Sequence, residues 1–316
     1  VAGVAAVLLA QGEHVPLGGR DSLGTRAGWL AGVLAAASFT VSRLISRGTG
    51  DAATRRWQQR VPVVKRVIDL VALAAAVGLS SYLILIAVAQ VFQIGFRCLT
   101  VDPLGGGALA GFAAAAVSYA ATLFGGQVTS TRIAALAVAL LFMGTLASMI
   151  SSPDQSWWQL HFSQLGNTQG ITGYRFNLAL ILTGLLLTVL ADYVGRAFER
   201  GLARRNAPVA SAPRTIAWVF AGIGLCMMTA GFVPDALNFT VHVAAASGMV
   251  VCYAGLVFVI MRMAPDLPRD LLSFTFTVIA GIVVSILLWV PVGYYNLTGM
   301  ELVAASLLFS WLIVFI

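Results

Sequence analysis

Charge is what this chain has least of. Asp, Glu, Lys and Arg make up 10% of its 316 residues, where a soluble domain carries roughly 25%. A soluble globular fold is excluded on that ground. Lysine is reduced to a single residue, Lys65 at the edge of an apolar span, which excludes a Schiff-base chromophore in mid-membrane. There are three cysteines, Cys98, Cys226 and Cys252, and no CxxC pair. Cys226 and Cys252 lie deep in apolar runs, where a thiol reads as a small hydrophobe, so neither a disulfide framework nor a metal site is expected. A Gly-Lys-Ser/Thr phosphate loop, a GxSxG elbow and an HExxH helix are all missing. No cofactor and no metal are therefore expected, and no arginine ladder points to a voltage sensor.

What is present is hydrocarbon-compatible sequence. Hydrophobic residues make up 59% of the chain and mean hydropathy is +0.91. The apolar runs are continuous and not alternating, which reads as helix and not as barrel strand. A spanning helix needs about 20 such residues to cross a core of about 30 Å. Spans are predicted near 27–46, 67–95, 104–125, 132–151, 176–197, 214–233, 235–261, 271–290 and 299–316. The run Val1–Ala10 reads as the tail of a further one. The expected fold is all-α: a polytopic helical membrane protein of about ten spans, forming a single bundle domain over 1–316. Gly107 and Gly111 make a GxxxG pair suited to close helix packing.

The net charge of +7 invites a nucleic-acid reading, but the arginines sit in short clusters between spans. Assigned to alternating sides, the loops divide Lys and Arg 15 against 4, the four being Arg20, Arg26, Arg97 and Arg175. The positive-inside rule sends the fifteen to the cytoplasm. The expected location is a bacterial plasma membrane. Segment 152–175, the Pro234–Thr240 turn and the Pro291–Glu301 loop then lie on the outer side.

The stretch Ser152–Gly166, SPDQSWWQLHFSQLG, is a polar and aromatic island. Ser152 followed by Pro153 and Gln155 reads as a capping box, and Gly166 as a stop, so a short helix over 153–165 is expected. Trp158, Phe162 and Leu165 share one face of such a helix; Trp157, His161 and Gln164 share its neighbour. Two readings compete: an interfacial helix anchored by its tryptophans, or the roof of a site containing His161 and Ser163. In VPDALNFTVH, Pro234 suggests a helix start, which puts Asp235, Asn238 and His242 on one face and His242 about 10 Å into the span. Such a histidine is either a buried lock to a neighbouring helix or part of a ligand or proton site. Thr298 and Glu301 read as a capping box opening the last helix.

The residues from Trp157 through HFSQLG to RFNLALILTGLLL resemble the bacterial membrane proteins of domain-of-unknown-function family 998. The resemblance is strongest over about 130–316, with DSLG at 21–24 a weak echo. That family is similar in broad layout to DRAM-like proteins, some of which act in lipid remodelling. The resemblance implies a multi-pass fold and hints at lipid, with no assigned reaction.

The expected function is an outward-facing polar pocket that binds or carries a lipid or other amphiphile. Its candidate residues are Trp157, Trp158, His161, Ser163, Arg175, Asp235, Asn238, His242 and Glu301, with Arg175 suited to a phosphate headgroup. Two alternatives remain open: a membrane-embedded hydrolase or transferase using His242 and Asp235, and an accessory subunit packed on a partner membrane protein.

Overall fold

A computed structural model describes residues 14–19, 21–46, 61–204, 212–263 and 268–316. A two-residue strand pair, β1 (Val15–Pro16) and β2 (Thr100–Val101), runs antiparallel with Val15 opposite Val101. The helices are α1 (Leu23–Ser46), α2 (Val63–Gly95), α3 (Pro103–Gly126), α4 (Ser130–Ser151), α5 (Gln164–Asn167), α6 (Ile171–Arg204), α7 (Ala212–Phe232), α8 (Phe239–Met263), α9 (Arg269–Trp289) and α10 (Leu297–Phe315). All but α5 are long and apolar enough to cross a membrane, so nine candidate spans stand among the described residues. The expected span at 1–10 lies outside them. The other nine fall near their predicted bounds, with the start of α8 shifted inward from 235 to Phe239 and α6 running from Ile171 to Arg204 where 176–197 was expected. Large apolar side chains such as Phe112, Trp218 and Val251 point outward and are exposed. Water would penalise that surface and lipid does not.

The described residues within Val1–Val128 and Ala139–Ser151 form one compact unit, and those within Thr129–Val138 and Ser152–Ile316 form a second. In the first, α1 packs on both α2 and α3. A Cβ built on Gly32 would lie 2.8 Å from the Gly78 carbonyl oxygen, and one on Gly78 2.9 Å from that of Gly32. Both positions therefore require glycine, and the two backbones meet there. Gly125 of α3 does the same against the Phe39 carbonyl at 2.7 Å. Gly107 is buried and Gly111 half-buried in the same helix, but the intimate approach falls in its last turn, at Gly125. Gln93 Oε1 accepts from the Leu17 and Gly18 amides, tying the strand pair to the end of α2.

In the second unit α6 packs on α7 and α7 on α8. A Cβ on Gly184 or on Gly224 would run into the carbonyl of the other, so α6 and α7 also touch through backbone. α9 pairs with α10 through the Trp311 indole, which donates to Thr275 Oγ1 at 2.9 Å. Phe315 stacks on Phe198 of α6, Phe220 of α7 and Trp311. The C-terminal turn of α10 is thereby joined to the α6–α7 pair. The ends where α6, α8 and α10 begin and α7 finishes carry the polar residues of interest.

Candidate functional site

The segment between α4 and α6 is not the expected helix over 153–165. Asp154 Oδ1 accepts from the Ser156 amide at 2.8 Å and the Ser156 hydroxyl at 2.6 Å, and the Ser152 hydroxyl donates to the Asp154 carbonyl. The Ser156 hydroxyl, with its amide, holds the Asp154 carboxyl below the usual carboxylate range. Residues expected to cap a helix close a local turn instead, the competing use that Ser and Asp side chains favour. A single 3₁₀ turn, Trp157–Gln159, and the four-residue α5 follow.

The hydrogen bonds lost from a continuous helix reappear elsewhere. In a helix the Phe162 amide would donate to the Trp158 carbonyl, four residues back. Here the Phe162 amide donates to Glu301 Oε2 at 2.6 Å, and Asn296 Nδ2 donates to the Trp158 carbonyl at 2.6 Å. Both replacements come from the start of α10. Glu301 therefore does not cap its own helix as expected. Asn296 is the cap, accepting from the Gly299 amide at 2.9 Å. Asn177 Nδ2 of α6 donates to the Gly166 carbonyl, and Asn167 Oδ1 accepts from the Ala236 amide.

The two tryptophans part company. Trp157 is buried and edge-on to Phe162, which is edge-on to Phe176 of α6. Trp158 is 51% exposed at the rim. Gly166 lies inside α5 and ends nothing.

Asp235, Asn238 and His242 do not share a helical face. Pro234–Asn238 is a turn, with Pro234 accepting from the Leu237 and Asn238 amides. Asn238 then caps α8 through the Val241 amide, its side chain exposed and away from the cluster. His242 sits in the first turn of α8, not 10 Å down it. It is buried, and its Nδ1 lies 2.9 Å from the Val233 carbonyl. A carbonyl can only accept, so Nδ1 carries the proton and His242 locks the α7–α8 turn. The lock reading of that residue is the better one.

Three of the remaining candidates, His161, Ser163 and Asp235, do converge. His161 Nε2 stands 3.1 Å from Asp235 Oδ2, and His161 Nδ1 stands 3.1 Å from Ser163 Oγ. Glu301 reaches the same segment through the Phe162 amide, the residue next to His161. The Asp235 side chain is 9% exposed, and its second oxygen, Oδ1, is buried with no hydrogen-bond partner among the described residues. Thr298 Oγ1, three residues before Glu301 in α10, is also buried and has no hydrogen-bond partner among the described residues. Arg175 is buried one turn into α6. Among the described residues no group of three or more His, Cys, Asp or Glu has the geometry to hold a metal. The asparagines that organise the site, Asn167, Asn177 and Asn296, were missing from the candidate set. Their signal was an amide at a helix end in a chain with few polar groups.

The fold and this polar cluster define a multi-pass helical membrane protein. The chain belongs to the family described as protein of unknown function DUF998, whose model matches residues 133–316. Comparison with curated proteins and with solved structures gives no significant match.

Proposed function

We propose that the end of the second unit where α6, α8 and α10 begin is a headgroup site for a lipid or other amphiphilic molecule, facing the outer side of the membrane. The observation that carries this reading is Asp235 Oδ1, a carboxylate oxygen buried without a hydrogen-bond partner among the described residues. Leaving such an acceptor unmet costs roughly 1–3 kcal/mol or more for a charged group, and native proteins rarely tolerate it without a role. With Glu301 and Thr298 nearby, the site asks for a donor: a hydroxyl or an ammonium of a headgroup. The exposed Trp158 ring suits the headgroup layer, and the apolar outer faces of α8 and α10 would accompany the tails. The 15-to-4 division of basic residues supports the outward orientation.

The test is retention of lipid by full-length protein reconstituted in vesicles, with phosphatidylethanolamine, phosphatidylglycerol and diacylglycerol as separate probes. Asp235→Asn and His161→Ala should each weaken retention of the donor-bearing probe about tenfold or more. Equal retention by wild type and both variants would sink the reading.

A further inference from the structure

Three side chains of this cluster form a directed chain that headgroup binding does not require. Ionised, Asp235 can only accept hydrogen bonds, so the His161 nitrogen facing it, Nε2, carries the ring proton. Nδ1 then holds the lone pair, and the Ser163 hydroxyl 3.1 Å away donates to it. A hydroxyl, a base within reach of its proton and an acid that orients the base make the constellation of an activated nucleophile. Such a constellation is recognised by geometry and roles and not by sequence order.

We propose that Ser163 and His161 are catalytic residues of an acyl-transfer site, with Asp235 the positioning residue, acting on the carboxylic ester of an amphiphile. The inference rests on the proposed headgroup reading for how substrate arrives. The Ser163 oxygen bonds to the ester carbonyl carbon while its proton passes to His161 Nδ1. The carbon–oxygen bond to the alcohol then breaks, and the departing alkoxide takes that proton. Water attacks the acyl-serine, gives a proton to His161 and releases the carboxylic acid, and Ser163 recovers its proton. Water is the only co-reactant.

The placement fits the chemistry. Ser163 and His161 are half-buried and so open to a substrate. Asp235 is more enclosed than His161, as an orienting acid should be. It comes from a turn 72 positions after Ser163 in the chain. A local contact between residues 161 and 163 alone would not need it. Both imidazole nitrogens belong to one conjugated ring, so a proton gained at Nδ1 is stabilised by a carboxylate at Nε2.

The experiment uses full-length protein in nanodiscs and an alkyl fluorophosphonate, which forms an oxygen–phosphorus bond to an activated serine and expels fluoride. Expected is an adduct mapped by mass spectrometry to the peptide containing Ser163 and absent from Ser163→Ala. His161→Gln should slow adduct formation about 100-fold or more, the usual size of a general base's contribution. Asp235→Asn should lower the maximal inactivation rate while leaving unchanged the half-saturating concentration of this probe, which carries no hydroxyl or ammonium donor for Asp235 Oδ1. A structural role would not produce that split. No adduct at Ser163 in wild type, or an equal rate in His161→Gln, overturns the proposal. Lipid retention is measured on Ser163→Ala in parallel, since removing one oxygen from a half-buried side chain preserves the fold. Retention without an adduct in wild type defeats the catalytic inference alone. An adduct without retention defeats the headgroup reading and leaves an esterase for soluble substrates.

Discussion

Glu301→Ala tests the tie between α10 and the 157–166 segment. The variant removes the acceptor of the half-buried Phe162 amide, a bond of 2.6 Å. A stranded donor of this kind costs roughly 1–3 kcal/mol, which at 1.4 kcal/mol per factor of ten makes local opening about 5 to 150 times more frequent. Asn296→Ala frees the more exposed Trp158 carbonyl and should cost less, roughly 0.5–1.5 kcal/mol. The two losses are not independent. With both side chains gone, the Phe162 amide and the Trp158 carbonyl can bond each other as a helix would have them do. The double variant should therefore be less destabilised than the sum of the singles by about 1 kcal/mol, the size of one net hydrogen bond. Hydrogen exchange of the peptide spanning 156–167, read by mass spectrometry, measures all four corners of the cycle. Unchanged protection in Glu301→Ala, or strictly additive singles, would refute the reasoning.

Two further outcomes follow from packing and capping. Gly184→Ala places a methyl 2.8 Å from the Met228 amide nitrogen and against the Gly224 carbonyl. Overpacking of this kind costs roughly 1–3 kcal/mol and outweighs the roughly 1 kcal/mol that alanine contributes to a helix over glycine. Gly255→Ala, where nothing lies within 4 Å, shows that gain alone. Thermal midpoints in detergent should separate the two variants in opposite directions, and equal midpoints would disprove the contact. Asp102 caps α3, and the Gly105 amide first, then the Leu104 amide, lower its carboxyl from an ordinary value of 3.8. A depressed carboxyl stabilises in full above its unfolded value and loses that contribution as pH falls through the folded one. Protection of Leu104 and Gly105, corrected for intrinsic rates, should hold from neutrality to about pH 4 and fall below it, following that linkage. Asp102→Asn keeps a cap and should be flat; the same acid loss in that variant would show that another group titrates.

The spans were legible because hydrocarbon leaves helices few alternatives, and a continuous apolar run such as 67–95 has one reading at that length. Which faces meet was not. The pair Gly184 and Gly224 belongs to two helices and to no local spacing pattern, and only the fold brings the two carbonyls together. Chemistry was legible by scarcity: with so few charges, His161, Asp235 and Glu301 stood out by residue type alone. Their pairing was not, because Asp235 was assigned to the face of His242 on the assumption that α8 begins at Pro234. The turn Pro234–Asn238 rotates it away, toward His161.

The misread segment carries the clearest physical lesson. Ser152, Pro153 and Asp154 are as suited to a turn as to a helix start, and propensity alone cannot choose between them. The choice is made 140 residues later, where Asn296 and Glu301 bring one donor and one acceptor to the carbonyl and amide of a single missing helical bond. A continuous helix over 153–165 would place Trp157 and Trp158 side by side along the membrane surface and keep the Phe162 amide for itself. Opening that one bond lets Trp157 turn inward against Phe162 while Trp158 stays at the rim. It also leaves His161 and Ser163 in the turn that leads into α5, two residues apart and in contact through Nδ1. On a helix residues two apart face different directions, so the contact on which the acyl-transfer inference depends exists only because α10 holds the helix open.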